Sequence, residues 1–148
     1  MKKLLPPILF LIFVISMSLI CWWLGSPHHM LYPYNLAGLV GIGVGLLLAM
    51  SGKRLFKKRN TNIMTFDEPT LLVTEGVYKY TRNPMYLGFV VSLLGFAILT
   101  GAANSSFLLT VIFVLVTDRW YIKFEEQMMR DKFGQDYEDY CRKVRRWI

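Results

Sequence analysis

Two long stretches of this chain carry no Asp, Glu, Lys or Arg: residues 4–51 and residues 83–117. No other feature constrains the fold as strongly, because a bilayer core of about 30 Å takes roughly 20 apolar residues at about 1.5 Å each. Each interval is long enough for two crossings. With turns at 25–33 and 101–105, the crossings are expected at about 5–24, 34–50, 85–100 and 106–121. The reading is an all-α polytopic membrane protein with four transmembrane helices, forming a single domain over 1–148. At 54% hydrophobic and 18% charged, the chain is apolar for a soluble domain of this length.

The charges fall in three blocks. Lys2 and Lys3 open the chain, a second basic block runs from Lys53 to Arg82, and a third from Arg119 to Arg146. The ten acidic residues keep to the last two blocks, three in the middle one and seven from Asp118 onward. Both turns between paired crossings lack Lys and Arg, so the positive-inside rule places the N- and C-termini in the cytoplasm, in an inner or cytoplasmic membrane. Cys21, Trp22 and Trp23 make a poor signal-peptide cleavage site, so the first apolar run is expected to stay as a helix. Cys21 and Cys141 then lie on opposite faces, and no disulfide between them is expected.

Along the crossings, Gly38, Gly41, Gly43 and Gly45 mark the second helix, and Gly88, Ser92 and Gly95 the third. Small residues at spacings of three and four let helix backbones approach in lipid. No lysine follows the glycines, so they do not form a phosphate-binding loop. His28 and His29, with no Cys or carboxylate beside them in sequence, read as a solvated turn and not as metal ligands. Trp22, Trp23, Tyr32 and Tyr34 suit the outer headgroup belt.

The chemistry is expected at the opposite end. Lys53, Arg54, Lys57, Lys58 and Arg59 suit anionic headgroups. After Asp67, Glu68 and Pro69, Gly76 suggests a turn, and the spacing of Tyr78 and Tyr80 suggests extended or irregular chain. Asn83-Pro84 reads as a helix start, with Asn as N-cap and Pro at the first helical position. Arg82 just before it makes this start an anion-site candidate, beside the plainer local reading of a capped transmembrane helix with an interfacial arginine. The fourth helix has no Pro or Gly before Gly134 and is expected to run on over 106–133, about 42 Å. That carries Glu125, Glu126 and Arg130 beyond the apolar core; Glu126 and Arg130 alone read as a surface pair four residues apart. Tyr137, Tyr140, Cys141 and Val144 then recur as one face of a C-terminal amphipathic helix, fit to lie in the headgroup plane and roof a pocket. Arg145, Arg146, Trp147 and Ile148 read as a surface anchor. Nucleic acid is not expected as a partner, because the membrane topology already accounts for the basic residues.

The segment Gly76-Val-Tyr-Lys-Tyr-Thr-Arg-Asn-Pro-Met-Tyr-Leu-Gly88, followed by Glu125-Glu126 and then by Phe133-Gly-Gln-Asp-Tyr-Glu-Asp-Tyr140, resembles the isoprenylcysteine carboxyl methyltransferase and phospholipid methyltransferase superfamily of integral membrane enzymes. The likeness covers roughly 50–148. It implies an S-adenosylmethionine-dependent methyltransferase whose cofactor binds on the cytoplasmic side, in segments 66–88 and 118–148, with a lipophilic acceptor entering from the bilayer. The resemblance implies Arg82 and Glu125 as catalytic residues. As cofactor-binding residues it implies Tyr78, Arg82, Asn83, Pro84, Tyr86, Glu125, Glu126, Tyr137 and Tyr140, with no metal. Arg82 suits the cofactor carboxylate, Glu125 or Glu126 its ammonium, and Tyr86, Tyr137 or Tyr140 its adenine or ribose. Asn83 replaces the family's usual histidine, which excludes a general-base role there. Val144-Arg145-Arg146 only partly matches the family's Val-Pro-Arg-type ending. Isoprenylcysteine-type carboxyl O-methylation is the leading expectation, with phosphatidylethanolamine-type N-methylation as the alternative. A non-catalytic scaffold and a nicotinamide-dependent sterol reductase are the rivals outside methyl transfer.

Overall fold

The computed structural model describes residues 4–23, 25, 27–59 and 70–148, and among these it is entirely helical. Lys2, Lys3, Leu24, Asp67, Glu68 and Pro69, which enter the expectations above, lie outside the described residues. Helix α1 spans Pro6–Trp23. A 3₁₀ turn at Tyr34–Leu36 leads into α2, Ala37–Lys58. A second 3₁₀ turn, Gly76–Lys79, precedes α3, Pro84–Leu99. Then α4, Asn104–Val116, passes through a π-helical turn, Thr117–Ile122, directly into α5, Lys123–Phe133, and α6 is Gln135–Lys143.

The helix from Asn104 to Phe133 is therefore unbroken, as its lack of internal Pro and Gly predicts, but a π-helical turn sits at the point where charge reappears. Gly134, at φ +49, ends it. A left-handed backbone of that kind suits a residue without Cβ, and it lets α6 fold back. Two expectations need correction. Helix α2 does not stop near Met50 but continues to Lys58, so Lys53, Arg54, Lys57 and Lys58 lie on its last turns. Gly52 does not break it, because its bare backbone is what fits there: a Cβ would lie 3.0 Å from Met85 Cγ and 3.2 Å from Pro84 Cγ. The chain around Tyr78 is not extended either. Gly76, at φ +59, starts the 3₁₀ turn, which buries Tyr78 and leaves Tyr80 exposed.

Helices α2 and α3 pack through the two small-residue stripes. A Cβ on Gly41 would lie 2.9 Å from Gly95 Cα, and one on Gly45 would run into Gly88 O and Ser92. Ser92 Oγ donates to Ile42 O at 3.4 Å. On the other side of α3, Leu93 and Ala97 join Leu9 and Met17 of α1 and Phe113 of α4 in the main core. Phe10 stacks on Phe89 at 4.9 Å, and Phe13 meets Phe113 edge-on at 5.3 Å. At the far end, Asn35 Nδ2 donates to Leu99 O at 2.9 Å and His29 N to Gly101 O at 2.8 Å, tying the two turns together. His28 Nδ1 comes within 4.0 Å of Cys21 Sγ, so folding supplies the nearby cysteine that local sequence lacks; among the described residues no group of three metal-ligating side chains forms.

Outside this core the helices present apolar side chains. Leu11, Ile15 and Leu19 of α1, Val40, Val44 and Leu47 of α2, and Leu108, Val111 and Leu115 of α4 are all exposed. An apolar girdle this continuous exceeds what a water-facing monomer carries. By length and composition α1 and the helical stretch Tyr34–Lys58 can each cross a membrane, and α3 is a shorter apolar helix.

Candidate functional site

The polar residues gather at the end of the bundle where α3 begins. Pro84 is the first residue of α3 and is fully buried, as the helix-start signal predicts. Asn83 stands at the N-cap position without capping through its side chain. Its Nδ2 donates instead to Arg146 O at 3.0 Å, while its backbone N–H bonds Thr81 Oγ1 at 3.1 Å. Thr81 Oγ1 in turn donates to Arg146 O at 3.3 Å, and Arg82 N donates to Arg145 O at 3.1 Å. The tail after α6 is thus stitched to the three residues before α3, and the cap is lost because the Asn83 amide serves that contact.

Arg82 points into the protein. Its Nη2 donates to Glu126 Oε1 at 2.9 Å and its Nη1 reaches Cys141 O at 3.5 Å. Glu126 is 2% exposed; the expected i,i+4 pair with Arg130 is present as a long ion pair of 3.9 Å, but the Glu126 carboxylate is buried and not at the surface. Burying a carboxylate costs several kcal/mol unless cations and donors surround it. Besides Arg82, Arg146 supplies them: its Nη2 donates to Glu126 Oε2 at 2.6 Å and its Nε to Oε1 at 3.1 Å. This fork raises the Arg146 guanidinium above its ordinary pKa, the hydrogen bond to Glu126 being the largest cause. Arg146 Nη1 also donates to Asp118 Oδ1 at 3.2 Å, and the Trp147 indole N–H bonds the same oxygen at 2.9 Å. Arg146 and Trp147 therefore turn inward and are not a surface anchor. Arg130 bonds Glu138 more closely, at 2.7 Å.

Glu125 faces a different partner. Tyr86, 4% exposed, donates its phenol to Glu125 Oε1 at 2.7 Å. The side of α6 that carries Tyr137 and Tyr140 is covered by the protein itself: Tyr137, Tyr140 and Val144 pack with Leu72, Met129 and Phe133. Tyr140 OH donates to Tyr78 O at 2.7 Å. Burial pushes the phenols of Tyr78, Tyr137 and Tyr140 well above the ordinary tyrosine value, so they stay protonated and do not serve as bases. A cavity of about 520 Å³ opens beside Tyr140 and Val144, bounded by Thr74, Lys79, Asp136, Asp139 and Lys143. Tyr140 lines it; Tyr137 does not.

At this junction one buried donor nitrogen is unspent. Arg82 Nε has no hydrogen-bond partner among the described residues. An unmet buried N–H on a cation is costly, and an acceptor on a bound ligand would meet it. The site thus joins Arg82, Asn83, Pro84, Tyr86, Glu125 and Glu126, with Tyr78 and Tyr140 on its α6 side. Asp118, Arg146 and Trp147 are its members that sequence reasoning missed. Their only sequence signal is their type, two charges and an indole next to apolar spans.

Comparison with known proteins matches residues 34–136 to the family described as phospholipid methyltransferase. The chain is 40% identical over 77 residues to the protein-S-isoprenylcysteine O-methyltransferase of Schizosaccharomyces pombe, which covers 50% of this chain and 31% of that protein. It is 37% identical over 82 residues to a probable protein-S-isoprenylcysteine O-methyltransferase of Oryza sativa subsp. indica, 53% of this chain and 41% of that one. It is 32% identical over 76 residues to methanethiol S-methyltransferase 1 of Bradyrhizobium diazoefficiens, 51% of this chain and 25% of the relative. The matches to these relatives span less than half of their length. No solved structure matches the chain.

Proposed function

This chain belongs to the phospholipid methyltransferase family, and on that premise we propose that it is an S-adenosylmethionine-dependent methyltransferase acting on a lipophilic acceptor drawn from the membrane. We read α1, α2, α3 and α4 as four membrane-crossing helices in an inner or cytoplasmic membrane, with both termini and the Arg82–Glu126 junction on the cytoplasmic side and α6 roofing it. The observation that carries the functional reading is the buried Arg82, whose Nε–H has no acceptor among the described residues.

The residues fit the cofactor. Arg82 Nε and the start of α3 suit its carboxylate. Both oxygens of Glu126 are engaged by arginines, so Glu125 is the better match for the ammonium. Tyr140, with Asp136 and Asp139, lines a cavity of a size that suits the nucleoside. When bound, S-adenosylmethionine supplies a methyl group made electrophilic by the neighbouring sulfonium. The work left to the protein is to orient donor and acceptor and to exclude water. Arg82, Glu125 and Tyr86 orient, while α6 and the Arg145–Trp147 tail cover the site.

Isoprenylcysteine-type carboxyl O-methylation suits this site best. A carboxylate acceptor is already ionised and needs no base; Asn83 cannot titrate, and the three phenols stay protonated. Glu125 is a carboxylate that can deprotonate an amine, which keeps phospholipid N-methylation as the second reading. The test is to incubate the purified protein with methyl-labelled S-adenosylmethionine and either N-acetyl-S-farnesylcysteine or phosphatidylethanolamine vesicles. Base-labile label on the farnesylcysteine is expected. Label in phosphatidylethanolamine alone would transfer the assignment to N-methylation, and label in neither would remove both acceptors.

A further inference from the structure

Among the described residues, Arg146 is the one side chain that touches both Asp118, inside the π-helical turn, and Glu126, in α5 beyond it. Its guanidinium forks onto both oxygens of Glu126, and its Nη1 reaches both oxygens of Asp118 at 3.2 and 3.3 Å. Trp147 closes the set, its indole N–H 2.9 Å from Asp118 Oδ1. Asp118 and Glu126 stand eight residues apart. In an unbroken α-helix that separation overshoots two turns by about 80°, too far for one planar fork to serve both. The turn Thr117–Ile122 is wound in the wider i→i+5 manner, which advances by a smaller angle per residue and takes up much of the overshoot. The π-helical turn thus brings the two carboxylates to one guanidinium.

We propose that Asp118, Arg146 and Trp147 are positioning residues: Asp118 and Trp147 aim Arg146, Arg146 immobilises the Glu126 carboxylate, and Glu126 holds Arg82 with its Nε directed at the bound ligand. None of the three touches the ligand. The inference rests on the proposed cofactor reading and adds to it a dependence on a carboxylate eight residues before Glu126. Glu126 is 3% exposed in its side chain and Asp118 21%, so the chain of charges runs from the site out to its rim.

The test is calorimetric titration of S-adenosylhomocysteine into full-length protein in detergent, with the melting temperature recorded for each variant. Wild type is expected to bind saturably. Asp118→Asn should weaken binding about tenfold, the loss that one charge-assisted hydrogen bond implies. Trp147→Phe, which keeps an aromatic ring in the core but removes the indole N–H together with its five-membered ring, should weaken it about threefold, in keeping with one hydrogen bond's net contribution. Asp118→Glu should recover most of the affinity, which a purely packing role for the aspartate would not allow. Binding of Asp118→Asn and Trp147→Phe within twofold of wild type would overturn the positioning role and leave the cofactor reading standing. No binding by folded wild type would overturn the cofactor reading itself. If Asp118→Asn fails to fold, Trp147→Phe decides alone.

Discussion

Along most of its length α3 meets α2 through Gly88, Ser92 and Gly95, whereas just ahead of its first turn Thr81, Arg82 and Asn83 meet the tail after α6. The first contact has almost no side chain in it. Backbones touch because Cβ atoms are missing, and the stabilisation is van der Waals contact between surfaces as apolar as their surroundings. The second contact is polar: the Arg145 and Arg146 carbonyls take hydrogen bonds from these three residues, and beside them Arg82 and Arg146 hold the buried charge of Glu126, each group costly unless its partners are in place. One region tolerates nothing added, the other nothing removed. The difference separates a part that holds the helices together from a part that can recognise a charged ligand.

That contrast can be broken from the polar side first. Glu126→Gln removes the charge that faces Arg82 and Arg146. Breaking a buried ion pair costs about 3–5 kcal/mol, so a fall of that size in unfolding free energy, followed by denaturant titration in detergent, is expected. On the apolar side, Gly45→Val puts a branched side chain against the Gly88 carbonyl and Ser92. Overpacking of that kind costs about 1–3 kcal/mol and should lower the melting temperature, with the helices held apart. Gly43→Ala is the counterpart with the smallest effect: a Cβ there meets nothing within 4 Å, so no loss of melting temperature is expected. Equal losses at Gly43 and Gly45 would mean that the seam is not specific.

The two regions also differ in how far the sequence reveals them. The small-residue stripes lie at helical spacing inside charge-free runs, and local periodicity is enough to read them. The same holds for the unbroken helix Asn104–Phe133 and for the start of α3 at Pro84. The partners of the charges are not local. Glu126 meets Arg82 and Arg146, residues 44 and 20 positions away, and Asn83 gives its side chain to a carbonyl 63 positions on. The i,i+4 rule finds the Glu126–Arg130 pair, which is present at 3.9 Å, but not the closer contact of Arg130 with Glu138 that forms once Gly134 folds α6 back. The tail Arg145–Trp147 looks like a surface anchor for the same reason, since nothing within it shows that Asp118 lies opposite. Family resemblance brought Arg82 and the glutamate pair together where spacing could not, and did not extend to Asp118 or Trp147.

The account stands most directly on Arg82. Titration of S-adenosylmethionine into the purified protein should show saturable binding for wild type and none for Arg82→Ala in the same concentration range, with the helical circular dichroism signal of the two alike. Arg82→Ala binding as tightly as wild type would contradict the assignment of the buried junction as the cofactor site.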